Sequence, residues 1–156
     1  MTDTPRHSVS VAAAIFDESG KNVLLIKRRD NGNWEPPGGI LELDETIEEG
    51  LRREVREETG AEIQVGPLTG VYKNMSRGIV ALVFRSIATT KQLNETEEAE
   101  RICWIPTASL ASHMSEAYVV RILDACEAGS PVEVRSHDGT ALLNEEVSVE
   151  FLNGQG

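Results

Sequence analysis

The chain has few cysteines for its length. Only Cys103 and Cys126 occur among 156 residues, far apart and outside any Cys-x-x-Cys or cysteine–histidine ligand spacing. Structural zinc sites and disulfide frameworks both depend on such spacings. We therefore expect two reduced, buried thiols, and neither a zinc site nor a disulfide framework.

Basic residues are also scarce. Fifteen lysines and arginines stand against 26 aspartates and glutamates, which gives a net charge of -11. A chain with this balance repels polyanions, so duplex nucleic acid is not an expected partner. An anionic substrate would need a metal ion between itself and the protein.

Long apolar runs are missing too. No segment approaches the roughly 18 apolar residues of a membrane span. The first residues, MTDTPRHSVS, lack the apolar run behind basic residues that marks a secretion signal. With 40% hydrophobic content, the chain suits one domain with its own core. We expect a single domain, residues 1–156, located in the cytoplasm.

Strand-like patterns outnumber helical ones. The segment 30–39, DNGNWEPPGG, contains turn residues and two prolines, which predict a loop. Apolar or alternating runs predict strands, the first two joined by a turn. These runs are 8–17, 23–29, 61–73, 79–88 and 101–106.

Two helices are predicted among these strands. A capping-box pattern opens the first at Thr46, and Gly60 closes it. The second is predicted over 117–128. The tail, 131–152, has two β-like runs around Asp138-Gly139, which predicts a hairpin whose edge can pair with a second copy of the chain. The fold class is therefore α+β, or an αβα sandwich.

The first helix carries three acids on one side. Its predicted core-facing stripe is about 80° wide and consists of Ile47, Leu51 and Val55. Glu54, Glu57 and Glu58 lie about 60°, 120° and 20° from Leu51 in one rotational sense. A hard divalent cation such as Mg²⁺ or Mn²⁺ would turn their mutual repulsion into coordination.

An acidic helix can also be simply a solvated face. Two features argue against that here: Glu58 lies close to the apolar stripe, and three arginines lie mostly on the other side, where they cannot neutralise all three acids. They are Arg52, Arg53 and Arg56. Gly50 costs about 1 kcal/mol relative to alanine inside a helix. Its presence predicts that another backbone passes close by.

Residues at fixed spacing around these acids form a known signature. They are Gly39, Glu45, Arg53, Glu54, Val55, Glu57, Glu58 and Gly60. The pattern resembles the Nudix box, G-x5-E-x7-R-E-U-x-E-E-x-G-U, where U is a bulky aliphatic residue. On residues 39–61, with Trp34 and PGG just upstream, the chain is similar to the Nudix (MutT-like) pyrophosphohydrolase family. Ala61 departs from the pattern, which concerns packing after the helix.

The resemblance implies an αβα sandwich with a mixed sheet, in which the box forms loop, helix and loop. It implies hydrolysis of a nucleoside diphosphate linked to another group, with water attacking phosphorus. It further implies that Mg²⁺ is held by Glu54, Glu57, Glu58 and the main-chain carbonyl of Gly38. Arg53 and Glu45 would orient these acids, with Gly39 beside them.

The general base is open between two glutamates. Glu54 is the first choice. Glu98, six residues before Trp104, is the second, because many members of the resembled family carry an extra ligand or base near that point. Neighbouring acids compete for the role, and a solvated acidic turn is an equally good interpretation of this loop. The competitors are Glu95, Glu97 and Glu100.

Substrate-binding residues are predicted outside the box. Arg28 and Arg29 end the second strand and are candidates for phosphate contact. Trp34, Tyr72 and Phe84 could stack a base, although core packing is the simpler interpretation of Phe84. The three histidines show no partner spacing, and we assign them no role.

The sequence therefore predicts a Mg²⁺-dependent pyrophosphohydrolase acting on a small nucleotide, with the substrate itself left open. A non-catalytic Nudix-like domain that senses such a ligand is the alternative. An RNA 5′-end hydrolase is disfavoured by the net charge.

Overall fold

The computed structural model describes residues 3–90, 93, 99–127 and 129–143. Its elements, in chain order, are β1 (Ser8–Phe16), β2 (Asn22–Arg28), β3 (Trp34–Glu35), β4 (Gly38–Ile40), α1 (Ile47–Thr59), β5 (Ile63–Asn74), β6 (Ile79–Ala88), β7 (Ala99–Pro106), a 3₁₀ helix (Thr107–Ser112), α2 (Glu116–Cys126) and β8 (Glu133–His137). Within these ranges, α1 with 13 residues and α2 with 11 both fall short of a membrane span.

The strands form one mixed sheet in the order β3-β2-β1-β6-β5-β8. β1 runs parallel to β6 along its whole length, and β5 runs parallel to β8. Near its end β1 meets β2, where Phe16 pairs with Val23, while its first half pairs with β4. β2 pairs in turn with β7. This branching places Gly38 and Gly39 beside β1, in the interior of the sheet.

The sheet is buried on both faces by one helix each. Along β1, alternate residues enter two separate cores, as the two-residue period of a strand requires. Val11, Ala13 and Ile15 pack with α1, whereas Ala12, Ala14 and Phe16 pack with α2. Helix, sheet and helix thus form three layers, which confirms the predicted α+β sandwich.

Most predicted elements are present, with small differences. The segment 30–39 is not all loop, because β3 lies within it and β4 begins at its end. Helix α2 begins one residue earlier than predicted and ends at Cys126. Cys103 and Cys126 are free thiols as expected, but both are half-buried rather than buried.

The tail begins as predicted. After β8 the chain turns at Gly139, whose φ of 107° is accessible mainly to glycine. An antiparallel bridge then joins His137 to Leu142. The second β-like run, from 144 onward, lies outside the described residues. β8 is the last strand in the described sheet order, so its outer edge is where a second copy of the chain would pair. Such pairing stays a prediction. A cytoplasmic location also stays a prediction.

Candidate functional site

Helix α1 is held by its cap and by two apolar side chains. The Thr46 hydroxyl accepts a hydrogen bond from the N–H of Glu49, and the Glu49 carboxylate accepts one from the N–H of Thr46. Leu51 and Val55 are fully buried against the sheet. Ile47 is 43% exposed, so the prediction that it faces the core is wrong. Ile47 lies in the first turn of α1, next to the cap, and this turn is outside the contact that Leu51 and Val55 make with the sheet.

The same packing buries two of the three helix acids. Glu54 is 9% exposed and Glu58 is 4% exposed, whereas Glu57 remains exposed. The predicted closeness of Glu58 to the apolar stripe is thus confirmed. A carboxylate loses several kcal/mol of hydration on burial unless a cation or hydrogen bonds replace the water. This face of α1 therefore requires positive charge close by.

Arg53 supplies part of that charge. Its Nε and Nη2 donate to the two oxygens of Glu45 at 2.8 and 2.6 Å. Its Nη1 donates to Glu54 at 2.9 Å and to Glu57 at 3.2 Å. The bond from Arg53, with that from the Glu42 N–H, lowers the pKa of Glu45 to about 2. The arginines were expected to lie mostly on the other side of the helix, but Arg53 reaches Glu54 and Glu57, as the salt bridging implied by the Nudix resemblance requires.

The other two arginines of α1 face away as expected. Arg52 pairs with Glu48 one turn earlier at 2.7 Å. Arg56 pairs with Glu62 beyond the end of the helix at 2.6 Å. Arg53 is thus the arginine of this helix that is directed at the acids, which fits the orienting role that the Nudix resemblance implied.

Three glycines shape the surroundings of these acids. A β-carbon on Gly39 would lie 2.5 Å from the Glu54 carboxyl carbon, so the acid rests directly against the Gly39 backbone. A β-carbon on Gly38 would collide with the Val11 carbonyl oxygen of β1. Gly50 faces the side chains of Leu41 and Glu45 rather than another backbone, which corrects the sequence-based expectation.

The donor set suits a hard divalent cation. All three helix side chains offer carboxylate oxygen, the ligand that Mg²⁺ and Mn²⁺ prefer, and Gly39 leaves room for the Glu54 carboxylate where any other residue would fill it. Among the described residues, no three acidic, histidine or cysteine side chains lie together as a ready metal site. Here Arg53 Nη1 binds oxygens of both Glu54 and Glu57. A metal ion would have to take over those contacts.

A cavity of about 730 Å³ opens beside the glycine segment. Gly38 and Gly39 line it, together with residues of α2 and of the turn after β8. Arg28 and Trp34 both line it, as a substrate-binding role requires. Arg28 already bonds to the carboxylates of Asp30 and Glu35.

Three other predicted binding residues lie elsewhere. Tyr72 is fully buried, and its hydroxyl donates to Asp124 at 2.7 Å, so the prediction that it stacks a base is wrong. Phe84 packs against the core beneath α1, as the simpler interpretation had it. Arg29 is exposed and does not line the cavity.

The sequence interpretation missed three other residues that line this cavity. His113 meets the Trp34 ring edge-on, with centroids 6.0 Å apart. Tyr118 and Arg121 of α2 also line the cavity. A signal existed for Arg121, because it stands four residues from both Ala117 and Ala125 and so on the apolar face of its helix.

The acidic loop stays untested. Glu95, Glu97 and Glu98 lie outside the described residues, and of Glu100 only the backbone, in β7, is described. The choice between Glu54 and Glu98 as general base therefore remains a prediction.

The chain is similar in sequence and in fold to known proteins. The sequence model of the NUDIX domain matches residues 6–124. A MutT-like protein of Streptomyces ambofaciens is 49% identical over 142 residues, which is 91% of this chain and 91% of that protein. The ADP-ribose pyrophosphatase of Methanocaldococcus jannaschii is 40% identical over 82 residues, 48% of each chain. The crystal structure of a MutT NUDIX hydrolase from Burkholderia pseudomallei, 25% identical, superposes with a TM-score of 0.69 over 77% of this chain and 98% of that chain.

Proposed function

The chain belongs to the NUDIX domain family, and on that premise we propose that it is a divalent-metal-dependent pyrophosphohydrolase. Its substrate is a nucleoside diphosphate linked to another group, or a nucleoside triphosphate with an ordinary or oxidised base. One observation carries this proposal: the buried Glu54 rests against Gly39, which lines a cavity, and the buried Glu58 follows one helical turn later. Such acids repel a diphosphate unless a metal ion lies between them.

The metal would be held by the three helix glutamates and the Gly38 carbonyl, and its donor chemistry favours Mg²⁺ or Mn²⁺. Those glutamates are Glu54, Glu57 and Glu58. When bound, such an ion neutralises the diphosphate and lowers the pKa of a coordinated water. The exposed Glu57 is the acid with most freedom to turn toward it.

Glu54 is the first choice for the general base. A base must be held within hydrogen-bond reach of the proton that it takes. The Glu54 carboxylate rests on the Gly39 backbone and is oriented by Arg53 Nη1 at 2.9 Å. Arg53 is in turn fixed through both of its other donors by Glu45. Glu98 is the second candidate.

The cavity would receive the nucleoside side of the substrate. Trp34, braced edge-on by His113, offers a ring for base stacking. Arg28 and Arg29 are proposed as phosphate contacts, and Arg28 is the better placed because it lines the cavity. The name of the M. jannaschii relative supports the class of diphosphate-linked substrates.

A hydrolysis panel tests this function. Wild type and variants are incubated with Mg²⁺ and ADP-ribose, UDP-glucose, ATP, 8-oxo-dGTP or 5′-triphosphorylated RNA, and product release is measured. Glu54→Gln, Glu57→Gln and Glu58→Gln should each lower kcat, by about 10²–10⁴ for the base. The control is Glu48→Gln on the same helix, whose exposed side chain pairs with Arg52 away from the site; it should keep full activity.

A wild-type protein that hydrolyses none of these compounds would contradict the proposed enzyme activity. If wild type and the three site variants are equally inert while nucleotide binding persists, the chain is a ligand sensor. Cleavage of triphosphorylated RNA alone would identify an RNA 5′-end hydrolase.

A further inference from the structure

Arg121 is a buried cation on the α2 side of the sheet. It is 7% exposed and lines the cavity. Among the described residues, no carboxylate lies within 4.0 Å of its guanidinium nitrogens. An arginine almost never loses its proton, so the charge remains. A buried charge without a counter-ion is costly.

The immediate neighbours of Arg121 offset only part of this cost. Its guanidinium carbon lies 5.1 Å from the ring centre of Tyr72 and 4.6 Å from that of Tyr118. Two aromatic faces attract a cation, but they offer no acceptor in the plane of the guanidinium. The buried Nε has no hydrogen-bond partner among the described residues.

The contact between Arg121 and His137 also leaves donors unsatisfied. Nη2 of Arg121 lies 3.1 Å from Nε2 of His137, and the N–H of Gly139 donates to Nδ1 at 3.0 Å. Burial, and then the charge of Arg121, lower the pKa of His137, so the ring is neutral near pH 7. A neutral imidazole can accept through only one nitrogen. In either tautomer, one of the two contacts therefore sets N–H against N–H.

Arg28, which lines the same cavity, is an arginine whose guanidinium is bound by carboxylates of the protein. Its Nε and Nη2 bind Asp30, and its Nη1 binds Glu35 at 2.9 Å. Those carboxylates neutralise Arg28 from within the protein. Arg121 has the same chemistry and lines the same cavity, but among the described residues no carboxylate bonds to it, and Glu35 acts on it only through longer-range attraction.

We propose that Arg121 is a specificity-determining residue, which binds a phosphate or carboxylate group on the part of the substrate remote from the cleaved diphosphate. This role in substrate binding rests on the proposed function. We place this group away from the cleaved diphosphate because the α1 acids that would hold the metal do not line the cavity, whereas Arg121 of α2 does.

The first experiment measures anion binding without catalysis. Inorganic phosphate is titrated in metal-free buffer, and its effect on the unfolding temperature and on tryptophan fluorescence is followed. Phosphate should stabilise wild type, and Arg121→Met should weaken its affinity about 10- to 100-fold, the range for loss of a charge-assisted hydrogen bond. Arg135→Met is the matched control, because Arg135 binds Asp124 through two nitrogens and does not line the cavity.

Two results would overturn the proposal: no stabilisation of wild type by phosphate, or equal stabilisation of wild type and Arg121→Met. This titration needs no turnover, so it judges Arg121 even if the panel above shows no hydrolysis. Failure of the panel and failure of the subsite are thereby distinguishable.

The second experiment uses pairs of compounds that differ in one anion. UDP-glucuronate and UDP-glucose test a carboxylate, and coenzyme A and 3′-dephospho-coenzyme A test a phosphate. Wild type should prefer the more anionic member of at least one pair about 10- to 100-fold in kcat/KM, and Arg121→Met should remove the preference. An equal loss on both members of every pair would show that Arg121 contacts a common part of the substrate, and would contradict the assignment to a remote group.

Discussion

Two arginines on opposite faces of the sheet differ in their carboxylate partners. Arg53 contacts the carboxylates of Glu45, Glu54 and Glu57 through hydrogen bonds of 2.6–3.2 Å. Arg121 is more deeply buried and has no carboxylate within ion-pair distance among the described residues. On the α1 side, excess negative charge is held by an internal cation. On the α2 side, a cation lacks its anion.

The comparison shows where ligands can replace internal contacts. Arg53 holds Glu54 and Glu57 in place, so these acids are organised without a metal ion. Arg121 contacts two aromatic faces and one nitrogen of His137, none of which carries a negative charge. Under the proposals above, the α1 side is organised before a metal ion binds, whereas the α2 side is completed by the anion that Arg121 would bind.

Gly39→Ala should break the α1 side with the largest effect. The new methyl group would lie 2.5 Å from the Glu54 carboxyl carbon and would displace that carboxylate. A misplacement near 1 Å can cost about 100-fold in rate, so kcat should fall at least that much. Because the displaced atoms end a flexible side chain, the free energy of unfolding should change little, as measured by urea denaturation.

Gly38→Ala is the matched comparison. Its methyl group would meet the backbone of Val11 and Ala12 in β1, which cannot move aside. Overpacking of this kind costs about 1–3 kcal/mol of unfolding free energy. If Gly39→Ala proves the less stable of the two, or keeps wild-type activity, Glu54 does not depend on that glycine.

Replacing each arginine by methionine sharpens the contrast in stability. Arg53→Met leaves Glu45 and Glu54 largely buried without their guanidinium, and should lower the free energy of unfolding by about 1–3 kcal/mol. Arg121→Met removes a cation that lacks a carboxylate partner, and should lower it by less than about 1 kcal/mol. Urea denaturation of both variants measures the difference. A larger loss for Arg121→Met would mean that the protein itself already satisfies Arg121.

A smaller effect is expected from pH. The pKa of Glu45 is lowered from its ordinary 4.5 to about 2, chiefly by the bonds from Arg53. The native state therefore holds the charged form, and this stabilisation is fully present above pH 4.5 and is lost as the pH falls toward 2. The unfolding temperature of Glu45→Gln should lie below that of wild type at pH 6, and the gap should close by pH 2. A gap that does not depend on pH would exclude the ion pair as its cause.

Local signals predicted the framework of the site well. The capping box at Thr46 and the stop at Gly60 are confirmed, because each is satisfied by backbone groups within a few residues. The close association of Glu58 with the core also follows from helical period alone. The prediction that Ile47 is buried was wrong, because the helical period shows which residues share a face but not how far along the helix the core extends.

Contacts between distant segments were less predictable. Tyr72 has the alternation of a strand residue, but its bond to Asp124 of α2 depends on how the helix packs. Arg53 looked remote from the acids on a helical wheel, yet its long side chain reaches Glu45 outside the helix and turns back to Glu54. A helical wheel shows the direction of each side chain, but neither its length nor the neighbouring segments that it can reach.

By itself, the sequence determined the family, the fold class and the acids of α1, because their spacing is set along one continuous helix. Only the tertiary structure decided that Arg53 neutralises two of these acids, that Tyr72 lies in the core, and that Arg121 is buried at the cavity without a carboxylate. The last two facts depend on α2 meeting β5 and the cavity, segments that are far apart in the chain and come together only after folding. The bonds from Arg53 to Glu54 and Glu57 depend on the side-chain conformations within α1.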